Sequence, residues 1–152
     1  MLGSLQDAEE VAQETLLRAW QSGEAAVAPG ARRAWLVSVA TRGCLDALRK
    51  KRRRRASAAR VGEPTELTWL EPAPDALFEI AAPESESPQD AVTRREQVGL
   101  AFVVALQYLS PRQRAALLLV DVLGWRVDES AALLETTAAS VNSLLQRARR
   151  TL

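Results

Sequence analysis

Residues 127–150 have the sequence VDESAALLETTAASVNSLLQRARR, and this stretch decides the fold. Apolar residues recur at helical spacing on both sides of the turn Glu135-Thr136-Thr137, which predicts a short helix over about 127–134 and a longer one from about residue 138. A small core between the two helices would be formed by Ala131, Leu134, Val141, Leu144 and Leu145. This arrangement is typical of a helix-turn-helix.

The second of these two helices has a polar outer face. Short polar groups near its N-terminus suit base edges in the major groove, and arginines near its C-terminus suit phosphates. The residues that we predict to contact DNA on this helix are Ser140, Asn142, Ser143, Gln146, Arg147, Arg149 and Arg150. An ordinary helical hairpin with a polar outer face remains an open alternative at this point.

Two further helices are predicted before the helix-turn-helix. Ser87-Pro88 marks the start of the first, and Ser110-Pro111-Arg112-Gln113 marks the start of the second through a capping box. Gly124 is expected to end the second helix. The predicted core residues of this helix are Leu117, Leu118, Val120 and Val122. We therefore expect residues 89–152 to form one helical domain.

Residues 1–55 predict another small helical domain. The first helix is expected to be capped by Asp7, with Glu10 completing a capping box, and the second to run from about residue 31 to Arg55. Trp35 is expected to be a buried or half-buried core residue. The apolar stripe of the first helix is predicted to hold Ala8, Val11, Ala12, Thr15, Leu16, Ala19 and Trp20, and that of the second Leu36, Val39, Ala40, Gly43, Ala47 and Leu48.

Charge divides the chain into three segments although the whole has a net charge of only +1. Residues 1–60 hold 12 basic and 6 acidic residues, residues 61–93 hold 8 acidic residues and no basic one, and residues 94–152 hold 8 basic and 5 acidic residues. Together with its prolines, the acidic charge makes residues 56–88 an expected linker between the two domains.

Seven consecutive cations occupy residues 49–55. This run is compatible with a solvated helix end, with a localisation signal or with a nucleic-acid contact. Because like charges at this density repel one another, a polyanionic partner is the favoured interpretation.

The composition argues against catalysis. The chain contains no histidine and one cysteine, so the commonest general base is absent and a zinc site or an internal disulfide cannot be completed. We expect no catalytic residue, no metal, no cofactor and no small-molecule substrate. No apolar run is long enough for a membrane span, and a lone cysteine suits the cytoplasm.

Three motifs resemble the extracytoplasmic-function (ECF) group of bacterial RNA polymerase sigma factors. Residues 7–20 (DAEEVAQETLLRAW) are similar to region 2.2, and residues 34–49 (AWLVSVATRGCLDALR) are similar to regions 2.3 and 2.4. Residues 109–114 (LSPRQR), followed by residues 141–149 (VNSLLQRAR), resemble region 4. The fold implied is all-α, with a region 2 domain and a helix-turn-helix region 4 domain.

The resemblance implies a role for each segment. Gln13, Glu14 and Leu17 would bind the clamp helices of the polymerase β′ subunit, and the last helix would contact the minus-thirty-five element of promoter DNA. The acidic linker would pass through a cation-lined channel of the polymerase. An anti-sigma factor is a further candidate partner. Contacts to the melted minus-ten element would fall to Arg42, Arg49, Arg52 and Arg53.

The sequence also departs from this family. Members normally have one more helix before the segment that begins at Met1. Residues 69–72 (WLEP) and 74–75 resemble a subgroup that usually carries an additional SnoaL-like C-terminal domain, and we expect this domain to be absent here. Two alternatives therefore stay open: a helix-turn-helix regulator that acts without inserting into polymerase, and a truncated interaction module that does not initiate transcription.

Overall fold

The computed structural model describes residues 1–22, 31–61 and 99–152, and every regular element in these ranges is a helix. This confirms the all-α prediction for the described part of the chain. The predicted loop after Ser22, the linker beyond Val61 and the predicted helix start at Ser87-Pro88 lie outside the described residues. The helices are α1 (Leu5–Ser22), α2 (Arg32–Val61), α3 (residues 99–108), α4 (Pro111–Leu117), α5 (Val127–Leu133) and α6 (Ala138–Thr151).

Helix α1 begins two residues before the predicted cap. The hydroxyl of Ser4 accepts a hydrogen bond from the Asp7 backbone N–H at 3.3 Å, so the prediction that Asp7 caps the helix was wrong. The predicted apolar stripe was also too wide. Thr15 is buried, whereas Leu16 is 64% and Trp20 is 81% exposed. Among the described elements α1 packs mainly on α2, so only one narrow row of its residues is covered.

Helix α2 is longer than predicted, because it continues beyond the basic run to Val61. Three alanines within residues 56–59 account for the extension, since alanine has the highest helix propensity of all residues. Trp35 is half-buried, as expected. Helices α1 and α2 approach each other closely at Gly43, where an added Cβ atom would lie 3.0 Å from Cγ1 of Val11.

Helix α4 starts at the predicted capping box. Ser110 Oγ accepts from the Gln113 backbone N–H at 3.4 Å, and the Gln113 side chain accepts from the Ser110 N–H at 2.8 Å. After Leu117 the helix widens into a π-turn over Leu118–Val122, in which the Leu123 N–H donates to the Leu118 carbonyl at 2.9 Å. Gly124 then ends the helix with a φ of 70°.

The π-turn changes which residues of this helix are buried. An extra residue in one turn shifts the following side chains around the axis. Leu119 is 1% exposed and forms the core together with Ala115 and Ala116, whereas Val122 is 65% exposed. The predicted core of the fourth helix was therefore wrong at Val122, and Leu117, Leu118 and Val120 are only half-buried.

The core between α4, α5 and α6 contains every residue predicted for the helix-turn-helix. These residues are all less than 9% exposed: Ala131, Leu134, Val141, Leu144 and Leu145. Val37 and Leu45 of α2 pack against the same cluster, so the N-terminal helices contact the C-terminal ones. Within the described ranges, no helix combines the length and apolar character required to cross a membrane.

Candidate nucleic-acid and partner interfaces

The turn between α5 and α6 fixes the orientation of α6. Glu135 adopts a φ of 51°, and the Thr136 N–H donates to the Ala131 carbonyl at 3.0 Å. Thr137 then caps α6, because its hydroxyl accepts from the Ser140 N–H at 3.2 Å. Helix α6 is thereby anchored on the core through Val141, Leu144, Leu145 and Ala148.

The predicted DNA-contacting residues of α6 do not all point in the same direction. At about 100° per residue, Ser143, Gln146 and Arg150 lie roughly opposite the buried row. Asn142, Arg147 and Arg149 flank this centre on either side. Ser140 is half-buried beside the N-terminal cap, whereas the other six residues are exposed. The centre of the polar face therefore combines two uncharged side chains with one arginine.

Arg149 is held by a residue outside the helix-turn-helix. Its Nε donates to Oδ2 of Asp121 at 3.0 Å, and its Nη2 donates to Oδ1 of the same carboxylate. The hydrogen bonds and charge of Asp121 raise the pKa of Arg149 further. No carboxylate lies within ion-pair distance of Arg147 or Arg150 in the part of the chain that the structure describes.

A groove of about 870 Å³ runs between α1 and α2. The three predicted polymerase-binding residues, Gln13, Glu14 and Leu17, line its α1 side. Arg42 faces them from α2, together with Lys50 and Arg54. The groove thus has an acidic rim on α1, completed by Asp7 and Glu10, and a largely basic rim on α2.

Several groups at this groove are tied to one another. Arg18 Nε donates to Oε1 of Glu14 at 2.9 Å within α1. Lys51 Nζ lies 3.3 Å from Oδ2 of Asp7 and links the two helices. Leu17, near the C-terminal end of the α1 side, is 48% exposed, so it offers an apolar contact beside the charged groups of the groove.

The other predicted DNA-contacting residues of α2 lie outside the groove. Arg49, Arg52 and Arg53 are exposed but do not line it, so α2 presents cations on more than one side. Nη1 of Arg49 pairs with Oδ1 of Asp46 at 2.8 Å. The structure therefore brings Arg42 together with the predicted polymerase-binding residues, whereas Arg49, Arg52 and Arg53 do not line the groove.

Sequence reasoning missed a buried cation in α4. Arg114 is 9% exposed; its Nη1 donates to the Leu106 carbonyl at 3.0 Å, and its Nε has no hydrogen-bond partner among the described residues. Burial lowers the pKa of this guanidinium. Its hydrogen bond to the end of α3 makes Arg114 a structural link between two helices rather than a surface contact.

The comparisons with known proteins identify both halves of the chain. Residues 1–54 match the family described as sigma-70 region 2, and residues 100–152 match the family described as sigma-70, region 4. Two relatives come from Mycobacterium tuberculosis. The ECF RNA polymerase sigma factor SigG is 50% identical over 98% of this chain and 42% of its own length. The ECF RNA polymerase sigma factor SigJ is 35% identical over 99% of this chain and 43% of its own length. The chain therefore spans less than half of either relative.

Proposed function

Because this chain belongs to the sigma-70 family, we propose that it binds core RNA polymerase and directs it to promoter DNA. The observation that carries this proposal is the pairing of two surfaces in one chain. One is the groove between α1 and α2, and the other is the exposed polar face of α6. A protein that only bound DNA would need the second surface but would have no use for the first.

The groove suits a helical partner. Helices commonly bind by inserting an apolar face into a groove, with charged rims that set the orientation. Leu17 supplies the apolar contact, while Glu14 and Arg42 stand on opposite rims. We infer that the clamp helices of the polymerase β′ subunit occupy this groove.

Helix α6 suits the major groove of the minus-thirty-five element. Uncharged Ser143 and Gln146 lie at the centre of its outer face, where hydrogen bonds to base edges are made in helix-turn-helix proteins. Arg147 and Arg150 supply phosphate contacts around them. The cations of α2, Arg42, Arg49, Arg52 and Arg53, would face the melted minus-ten element.

This role requires no cofactor or small-molecule substrate, and it belongs in the cytoplasm with the polymerase. An anti-sigma factor remains a predicted partner. The alternatives are a regulator that does not insert into polymerase and an interaction module that does not initiate. They differ from the proposal in a single reaction, which is promoter-dependent transcription by core polymerase.

Transcription in vitro tests the proposal. Core polymerase is mixed with the chain and a library of promoter fragments, and we expect transcripts that appear only when the chain is added. Arg147→Ala should reduce promoter binding by the chain, and the loss should shrink as salt is raised, because a phosphate contact acts through counterion release. Polymerase binding without transcripts would instead favour the interaction module. An unchanged affinity of Arg147→Ala for promoter DNA would mean that the proposed face of α6 is not the one that contacts DNA.

A further inference from the structure

Asp121 and Arg149 form a two-point ion pair between elements that are 28 residues apart. Asp121 lies in the π-turn that ends α4, and Arg149 lies in the last turn of α6. The π-turn matters here because its additional residue sets where the Asp121 carboxylate points. The result is a fixed contact between the scaffold and the C-terminal end of the helix that we assign to DNA.

We propose that Arg149, through its ion pair with Asp121, is a positioning residue that orients α6. The same ion pair keeps this arginine away from DNA phosphates. The proposal rests on the promoter binding by α6 proposed above. It divides the three arginines of α6 into two kinds: Arg147 and Arg150 contact DNA, whereas Arg149 orients the helix.

The geometry supports this division. A guanidinium that donates two parallel hydrogen bonds to one carboxylate has one edge of its planar fork engaged, with two of its five N–H donors, and this is the strongest form of an arginine pair. A phosphate that bound this edge of the guanidinium in the same two-point way would have to compete with Asp121 for Nε and Nη2. Arg149 also lies at the edge of the outer face, about 40° from the direction of the buried Leu145. Arg150 points roughly opposite the core and has an unobstructed approach to a DNA backbone.

The electrostatic consequence can be measured. Only cations that neutralise phosphates release counterions, and each one contributes about 0.9 to the slope of log affinity against log salt. An arginine already neutralised by Asp121 contributes little to that slope. If Asp121 loses its charge, Arg149 becomes available, and the slope should become steeper.

The experiment compares two double variants of the full chain that have the same net charge as the original. Asp121→Asn/Arg149→Gln removes the ion pair, and Glu135→Gln/Arg150→Gln removes one acid and one arginine that have no ion pair among the described residues. Binding to a promoter fragment is measured by fluorescence anisotropy at several salt concentrations. We expect the first variant to keep the original salt slope and the second to lose about 0.9 of it.

The single variant Asp121→Asn should change the salt slope in the opposite direction from the Arg150 double variant. Its slope should become steeper by up to about 0.9, so its affinity relative to the original chain should rise about threefold as salt falls from about 200 to about 50 mM. A slope for Asp121→Asn/Arg149→Gln that falls as far as that of the Arg150 double variant would overturn the proposal, because Arg149 would then contact phosphate itself.

The ion pair can also be examined without DNA. Nuclear magnetic resonance of the Arg149 Nε–H group should show slow exchange with water in the original chain and fast exchange in Asp121→Asn. Slow exchange of the Arg149 Nε–H in a chain that binds no promoter fragment would refute the proposed function. The ion pair between Arg149 and Asp121 would still stand. Equally fast exchange in both chains would refute the contact, whatever the chain binds.

Discussion

Arg114 and Arg150 show how differently the same side chain is used in this protein. Arg114 is 9% exposed and donates to the Leu106 carbonyl, whereas Arg150 is exposed on the outer face of α6. Burying a charge costs free energy unless hydrogen bonds replace its lost hydration. The first arginine therefore belongs to the structure of the domain, and the second is free to bind an anion.

Cys44 gives a prediction at the scale of one residue. It is half-buried in α2, and this burial raises the pKa of its thiol above that of a free cysteine. A raised pKa means a smaller thiolate fraction at any given pH, and the thiolate is the reactive form. Iodoacetamide should therefore label Cys44 slowly at pH 7, and the midpoint of its rate–pH profile should lie above about 8.5.

The same cysteine in the urea-unfolded chain provides the control for this measurement. There the midpoint should return to the ordinary value of about 8.5. Identical profiles for the folded and unfolded chains would contradict the described burial of Cys44.

Sequence reasoning was most successful where contacts are local. Val141, Leu144 and Leu145 could be assigned to the core because helical spacing alone places them on one side of α6. The partner of Arg149 could not be assigned in this way, because Asp121 is distant in sequence and its position depends on a π-turn that has no clear sequence signal. The same limitation applies to the groove, because its basic rim lies opposite its acidic rim only through the packing of α2 on α1.

The burial of α1 illustrates a second limitation. The spacing of Leu16 and Trp20 correctly places them on one side of a helix, yet both are exposed among the described residues. Periodicity predicts which residues share a face, but it does not say whether that face is covered. Which residues are buried depends on the neighbouring elements, and α1 packs mainly on α2.

The close contact of α1 with α2 gives a prediction at the scale of elements. Gly43→Val should destabilise the helix pair by about 1–3 kcal/mol, because the new side chain would overlap Val11. Val11 cannot easily move aside, since β-branched side chains have one strongly preferred rotamer in helices. Hydrogen exchange of the α1 and α2 amides, followed by mass spectrometry, would report the loss.

Gly99→Val is the matched control, because among the described residues no atom outside its chain neighbours and its own helix backbone lies within 4 Å of the Cβ position at Gly99. It should leave the exchange of α1 and α2 unchanged. Adding Val11→Ala to Gly43→Val should restore part of the lost protection. Equal protection in Gly43→Val and Gly99→Val would contradict the close approach of the two helices.

At the scale of the whole molecule, two surfaces with different chemistry are connected through one core. The groove between α1 and α2 combines an acidic rim, a largely basic rim and the exposed Leu17, whereas α6 offers uncharged polar groups flanked by arginines. Val37 and Leu45 of α2 pack against the core formed by α4, α5 and α6, so the N-terminal and C-terminal helices are in contact. The surface that we propose for polymerase and the one that we propose for DNA therefore belong to helices that are packed together.

Co-elution of the chain with core RNA polymerase in size-exclusion chromatography tests whether the groove between α1 and α2 binds the polymerase. We predict that the chain elutes with the polymerase and that Leu17→Glu, which replaces the exposed apolar side chain of the groove with a charged one, elutes separately. Leu100→Glu, a change of an exposed leucine outside the groove, should still co-elute. Elution of the unaltered chain apart from the polymerase would contradict the account.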